Sequence, residues 1–89
     1  MAYDAARARV VLFGGVDPAG TALADTWEWD GSDWTKRTPA ASPPARMSHA
    51  LAFDLIRAKV VLFGGTVYPA TFFADTWEWD GTTWRRIGL

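Results

Sequence analysis

Few side chains in this sequence of 89 residues could do chemistry, and their number and spacing limit what that chemistry could be. His49 is the only histidine, and cysteine is absent. Acid–base catalysis by a lone histidine needs a nucleophile or a second base nearby, and zinc and copper sites usually require three or more ligands. Neither a nucleophile motif of the Gly-x-Ser-x-Gly type nor metal-ligand spacing is present. We therefore expect a non-enzymatic protein with no catalytic residue, no metal site and no cofactor, in which His49 is structural.

The carboxylates of Asp25 and Asp75 each precede a tryptophan-rich segment, and two interpretations apply to them. They could bind a metal or act in catalysis, or they could accept hydrogen bonds from loop N–H groups beside a nearby pair of glycines. We favour the second. The segment 30–33 superficially resembles a calcium loop, but no bidentate glutamate follows it, so we interpret it as a turn.

Six tryptophans in so short a chain could offer flat stacking surfaces to a sugar or another ligand. Three of them, Trp27, Trp29 and Trp34, have counterparts at Trp77, Trp79 and Trp84. Because the same positions recur, the pattern favours packing between structural units over ligand binding.

The elements that position these side chains form a repeat with an offset of 50 residues. The segment 10–15, Val-Val-Leu-Phe-Gly-Gly, returns at 60–65, and the segment 24–31 returns at 74–81. A fixed period of this size indicates a repeat architecture in which each unit buries its faces against its neighbours. We divide the chain into repeat 1 (residues 1–39) and repeat 2 (residues 40–89).

Repeat 2 predicts four antiparallel strands joined by short turns. Met47 to Asp54 alternates bulky and small side chains with a period of two, and the β-branched and apolar run Lys59–Phe63 predicts a strand buried on both faces. A loop from Thr66 to Phe73 follows, and then come a strand from Ala74 to Asp80, an Asp-Gly hairpin turn and a strand from Thr83 to Ile87. The predicted fold is all-β, with two tandem four-stranded units, and repeat 1 lacks most of its first strand.

Several residues at set spacings resemble the Kelch motif. Arg46 and His49 resemble its Pro-Arg-x-Gly-His-like start, with Ser48 in place of the usual glycine. The resemblance covers the whole chain. The repeated sequence Asp-Thr-Trp-Glu-Trp-Asp-Gly is most similar to the Kelch arrays of bacterial secreted or surface proteins. It implies that each repeat is one blade of a β-propeller, with structural positions at Gly14, Gly15, Asp25, Trp27, Trp34, His49, Gly64, Gly65, Asp75, Trp77 and Trp84.

The resemblance also implies a function. Kelch substrate adaptors place arginines facing their ligand peptides at the position of Arg46, whose guanidinium fork suits carboxylates. A salt bridge to an aspartate of a neighbouring blade explains this arginine equally well. Tyr68, Phe72 and Phe73 could anchor a partner or pack on the next blade. We expect a scaffold that binds a protein or peptide. The alternatives are an accessory segment of a larger enzyme or carbohydrate-binding protein, and a truncated product without a function of its own.

Charge and length add further expectations. A net charge of −1 with scattered basic residues predicts no binding to nucleic acid, and no apolar run reaches the ~20 residues of a membrane span. No signal peptide is recognised, and the sequence assigns no compartment, although the resemblance points to an extracytoplasmic parent array. Two repeats cannot close a propeller. We therefore expect either a piece of a longer array or self-association that completes a ring.

Overall fold

The computed structural model of the protein describes residues 1–67 and 71–87, and these residues form β-strands and no helix. The all-β prediction is therefore confirmed for this part of the chain. The strands, in chain order, are β1 (Ala2–Asp4), β2 (Arg9–Phe13), β3 (Thr26–Trp29), β4 (Trp34–Arg37), β5 (Ala50–Asp54), β6 (Lys59–Phe63), β7 (Thr66–Val67), β8 (Thr71–Phe72), β9 (Thr76–Trp79) and β10 (Trp84–Ile87).

The strands form one four-stranded antiparallel sheet in each repeat. The order is β1-β2-β3-β4 in repeat 1 and β5-β6-β9-β10 in repeat 2, and neither order closes on itself. Val11 faces Glu28 in the first sheet, and Val61 faces Glu78 in the second. The two sheets therefore share one register, as expected for two copies of one sequence pattern.

Aspartates shape the turns that connect the strands. Oδ1 of Asp4 accepts hydrogen bonds from the backbone N–H groups of Ala6 and Arg7, at 3.1 Å each. Asp54 does the same for Ile56 and Arg57 in repeat 2, at 3.1 and 3.2 Å. Such local bonds favour a turn over continued pairing. Both turns end in an alanine at positive φ, 56° at Ala8 and 55° at Ala58.

The connections between β3 and β4 and between β9 and β10 are four-residue loops. The sequence predicts a shorter connection in repeat 2, with one strand ending at Asp80 and the next beginning at Thr83. The reason is again a carboxylate. Oδ1 of Asp30 accepts N–H bonds from Ser32 and Asp33, and Oδ1 of Asp80 accepts them from Thr82 and Thr83. These backbone bonds lower the pKa of both aspartates. Asp30 is therefore a turn residue.

The first strand of each repeat differs from its prediction. In repeat 2 it begins at Ala50 and not at Met47, because Ser48 adopts a positive φ of 57° and Met47 bonds to Thr66 instead. In repeat 1 the strand keeps three residues, Ala2–Asp4, against five in repeat 2. The expectation that repeat 1 lacks most of this strand is corrected to a shortening by two residues.

The segment predicted as a loop from Thr66 to Phe73 contains a small hairpin, in which β7 pairs with β8. In repeat 1 a single bridge between Val16 and Ala22 occupies the equivalent place. The short pairing escaped the sequence pattern because two-residue strands carry no measurable alternation.

The core lies between the two sheets. Strand β1 packs against β5 and β6, which brings one face of each sheet together. The buried apolar side chains come from both repeats and are Val11, Phe13, Val60, Leu62, Trp79 and Trp84.

Candidate functional site

A surface pocket of about 420 Å³ brings together two of the four predicted partner-binding residues. Phe72 and Phe73 line it, and Arg46 lies behind Phe73. Tyr68 lies outside the described residues. The side chains around the pocket come from the segment before β5, from β8 and the residues that follow it, and from β10; they are Pro44, Phe72, Phe73, Ala74, Asp75 and Arg86.

Arg46 is fully buried and holds this region together. Its Nη1 and Nη2 donate to the two carboxylate oxygens of Asp75 at 2.5 and 2.9 Å. Nη1 also donates to the Gly64 carbonyl at 2.9 Å, and Nε to the Pro44 carbonyl at 3.2 Å. Asp75 belongs to the same repeat, whereas the salt bridge considered from the sequence joined neighbouring blades. In this arrangement Arg46 supports the pocket from behind and does not face a partner.

The main partners of the Asp75 carboxylate are side chains, whereas the sequence led us to expect loop N–H groups. Besides Arg46, it accepts a 2.8 Å bond from Nε1 of Trp77. The hydrogen bond from Arg46 is the main cause that lowers the pKa of Asp75 to about 2, and the bond from Trp77 adds to it against the opposing effect of burial. Asp75 is therefore ionised and already paired. In repeat 1, the one ion pair of Asp25 among the described residues is with Lys36, at 3.9 Å.

The accessible part of the pocket is apolar with one cation. Phe72 is 80% exposed. Phe73 is half-buried, with its ring centroid 4.0 Å from the guanidinium carbon of Arg46. Arg86 is exposed and forms no ion pair within the described residues. Such a surface can hold an apolar side chain that has a carboxylate nearby.

His49 lies between the repeats. Its ring meets Phe13 edge-on at 5.7 Å, and a Cβ placed on Gly14 or Gly65 would come within about 3 Å of its atoms. Within the described ranges its Nδ1 has no hydrogen-bond partner. Burial lowers the pKa of His49, although a bond to the backbone of Phe13 acts in the opposite direction. Close packing by a neutral imidazole agrees with a structural role.

The tryptophan pairs have the same geometry in both repeats but differ in solvent exposure. The ring centroids of Trp29 and Trp34 are 5.5 Å apart, and those of Trp79 and Trp84 are 5.4 Å apart. Trp84 is 1% exposed, whereas Trp34 is 43% exposed. Trp27 and Trp77 are half-buried in both sheets.

Sequence reasoning missed Arg86 and Pro44 as pocket residues. The signal for Arg86 was its place two residues after Trp84, which puts both side chains on one face of the strand. It also missed the arginine–glutamate pairs on the sheets. Arg37 binds Glu28 at 2.6 Å, and Arg57 binds Glu78.

Residues 1–67 and 71–87 contain no cluster of three or more histidine, cysteine, aspartate or glutamate side chains that could hold a metal ion. Nor do they contain a helix long and apolar enough to cross a membrane. The chain matches no protein-family model, and no curated protein sequence matches it.

Proposed function

We propose that this chain is a non-catalytic Kelch-type scaffold whose two four-stranded sheets are propeller blades. The repeated register of the sheets and the loops between their strands support this proposal. In such a scaffold the sheets are the fixed frame and the loops meet the partner.

The partner is a protein or peptide that inserts an apolar side chain into the pocket beside Phe72. The observation that carries this is the 80% exposure of Phe72 at the edge of a pocket about 420 Å³ in volume. Large aromatic side chains next to pockets are typical anchors of protein interfaces. The exposed guanidinium of Arg86 favours a partner with a carboxylate close to the apolar side chain, since the other charges at this site are already paired.

Selection from a random peptide library displayed on phage tests the proposal. The chain is immobilised, and the bound peptides are sequenced and measured by fluorescence polarisation. We expect peptides with an aromatic or aliphatic residue next to an acidic one. Phe72→Ala should weaken their binding at least tenfold, and Arg86→Glu should remove the preference for the acidic residue.

Ile56→Ala is the matched control, because Ile56 is 93% exposed in the turn between β5 and β6, which does not line the pocket. This variant should bind like the parent chain. The proposal fails if no peptide binds, or if the selected peptides bind the Phe72→Ala variant as tightly as they bind the parent chain.

A further inference from the structure

The contact between the two repeats joins two different faces. Repeat 2 contributes an indole face, made by Val60, Leu62, Trp79 and Trp84. Repeat 1 contributes an acceptor face, made by Val11, Phe13, Thr26 and Glu28. Nε1 of Trp84 donates to Oγ1 of Thr26 at 2.9 Å, and Nε1 of Trp79 donates to Oε2 of Glu28 at 3.2 Å. Around these bonds, Phe13 meets Trp84 edge-on at 5.4 Å.

Each repeat carries both faces, because strand side chains alternate and the two sheets share one register. The indole face of repeat 1 and the acceptor face of repeat 2 therefore have no cover within the described part of the chain. Exposure shows this directly. Trp34 is 43% exposed against 1% for its counterpart Trp84, and Phe63 is 54% exposed against 2% for its counterpart Phe13. The members of the uncovered indole face are Val10, Leu12, Trp29 and Trp34, and those of the uncovered acceptor face are Val61, Phe63 and Thr76. Glu78 lies on the same acceptor face but is only 5% exposed and pairs with Arg57.

We propose that these two uncovered faces bind each other between copies of this chain, head to tail, and repeat the contact already present inside it. Trp34 of one copy donates its indole N–H to Thr76 of the next and packs on Phe63. Trp29 donates to Glu78. The occupant is a second copy because each face is built from the same residue types as its covered counterpart, at an offset of 50 residues.

The charges on the two faces permit this contact. Inside the chain, Glu28 holds Trp79 on one carboxylate oxygen and Arg37 on the other. The counterpart of Arg37 is Ile87, but Glu78 is already paired with Arg57, which comes from the turn between β5 and β6. Arg57 therefore supplies the cation that Arg37 supplies in repeat 1. Glu78 stays paired when the indole of another copy covers it, so no unpaired charge is buried.

A contact between unlike faces leaves two unused faces in any dimer, so growth continues until the ends meet. Three or four copies would bring together six or eight four-stranded sheets, which lies within the range of closed sheet rings. We therefore expect a trimer or tetramer and no stable symmetric dimer.

Light scattering coupled to size exclusion, at about 100 µM chain, tests the assembly with two blocking variants. Trp34→Glu blocks the indole face and leaves the acceptor face intact, and Phe63→Glu does the reverse. Each variant alone should be a monomer. An equimolar mixture should give a one-to-one heterodimer that grows no further, because each partner then offers one intact face and one blocked face.

Ile56→Glu is the control for an added charge at an exposed apolar position, and it should assemble like the parent chain. Circular dichroism checks that each variant keeps its β spectrum. If a blocking variant does not fold, single-cysteine variants at Trp34 and Thr76, mixed and treated with a short bismaleimide, provide the second measurement; the parent chain has no cysteine to interfere. A monomeric parent chain overturns the proposal. So does a mixture that remains monomeric, or cross-linking that joins Trp34→Cys only to itself.

Discussion

The indole nitrogen of Trp84 and the hydroxyl of Thr26 form a buried hydrogen bond of 2.9 Å, although they are 58 residues apart in the sequence. Trp84 is 1% exposed and so is Thr26, so neither group can exchange this partner for water. A buried polar group that loses its only partner destabilises the folded state by the cost of its desolvation. The bond therefore fixes the position of one sheet on the other.

Removing the indole N–H of Trp84 tests how much this hydrogen bond contributes to the free energy of unfolding. We expect Trp84→Phe to lower the free energy of unfolding by about 1–3 kcal/mol, because it leaves the Thr26 hydroxyl unpaired. Trp34→Phe, the same change at the equivalent exposed position, should cost about 0.5 kcal/mol or less. Both are measured by urea denaturation on the Phe63→Glu background, in which we expect monomers. Equal costs for the two changes would contradict the assigned contact.

Alanine substitutions at two equivalent glycines, Gly14 and Gly64, separate the cost of backbone strain from the cost of a steric clash. Gly14 has a φ of 67° and Gly64 a φ of 70°, so alanine is strained to the same degree at both. A Cβ on Gly14 would lie 2.6 Å from the backbone oxygen of Arg46, whereas the nearest atom to a Cβ on Gly64 is 3.5 Å away. We expect Gly14→Ala to cost about 1–3 kcal/mol more than Gly64→Ala in thermal or urea denaturation. A difference near zero would mean that the segment carrying Arg46 can move away freely.

Acid should weaken the protein through Asp75. Its pKa is lowered from 3.8 to about 2, so the ionised form is favoured in the folded state. The resulting stabilisation is complete above the ordinary pKa and is lost as the pH falls through about 2. At about 1.4 kcal/mol for each pKa unit, Asp75 contributes about 2 kcal/mol at neutral pH.

The measurement compares the free energy of unfolding of the parent chain and of Asp75→Asn from pH 6 to pH 2. The difference between them should shrink by about 2 kcal/mol over this range. Asp25→Asn is the control, because the ion pair of Asp25 with Lys36 is long, at 3.9 Å, and exposed to solvent, so it should contribute little to stability. A constant difference between the parent chain and Asp75→Asn would show that the pairing with Arg46 does not depend on ionisation.

The turn alanines offer a stabilising change. Ala8 has a φ of 56°, a conformation that costs an L residue about 1–2 kcal/mol, while glycine costs about 0.5–1 kcal/mol more than alanine in chain entropy. We expect Ala8→Gly to stabilise the protein by up to about 1 kcal/mol. Ala5→Gly in the same turn should be neutral or destabilising, because only the entropy cost applies there. Thermal melts of the two variants check both expectations, and a destabilised Ala8→Gly would contradict the first.

The sequence predicted the elements well where its signal was local and periodic. The strand Lys59–Phe63 has the predicted bounds, because a run of β-branched and apolar residues between a turn and two glycines leaves little choice. The prediction that both of its faces are buried is wrong, because Phe63 is 54% exposed. Because the sequence pattern recurs at an offset of 50 residues, the two sheets also share one register. Local composition could not reveal that Ser48 takes a positive φ, which moved the start of β5.

The site was harder to predict because its geometry depends on contacts distant in the chain. Arg46 and Asp75 were both identified from the sequence, but their pairing across 29 residues was not. That pairing decides that Arg46 is buried and that Arg86 is the exposed cation of the pocket. The unequal exposure of Trp34 and Trp84 was equally hidden, since the two residues occupy equivalent positions of the repeat and their exposure depends on which residues distant in the chain cover them.

The two faces of one repeat also have a consequence for how such genes change in length. Each fifty-residue unit encodes the donor side of one contact and the acceptor side of the next, so a tandem duplication produces a complementary junction without any new mutation. Once two units are joined, selection on their contact acts on pairs of positions, one in each of two successive units. A substitution at the position of Trp84 leaves the hydroxyl at the position of Thr26 in the preceding unit without its partner, so we expect the two positions to change together. Related arrays should therefore show paired substitutions between adjacent units at these two positions.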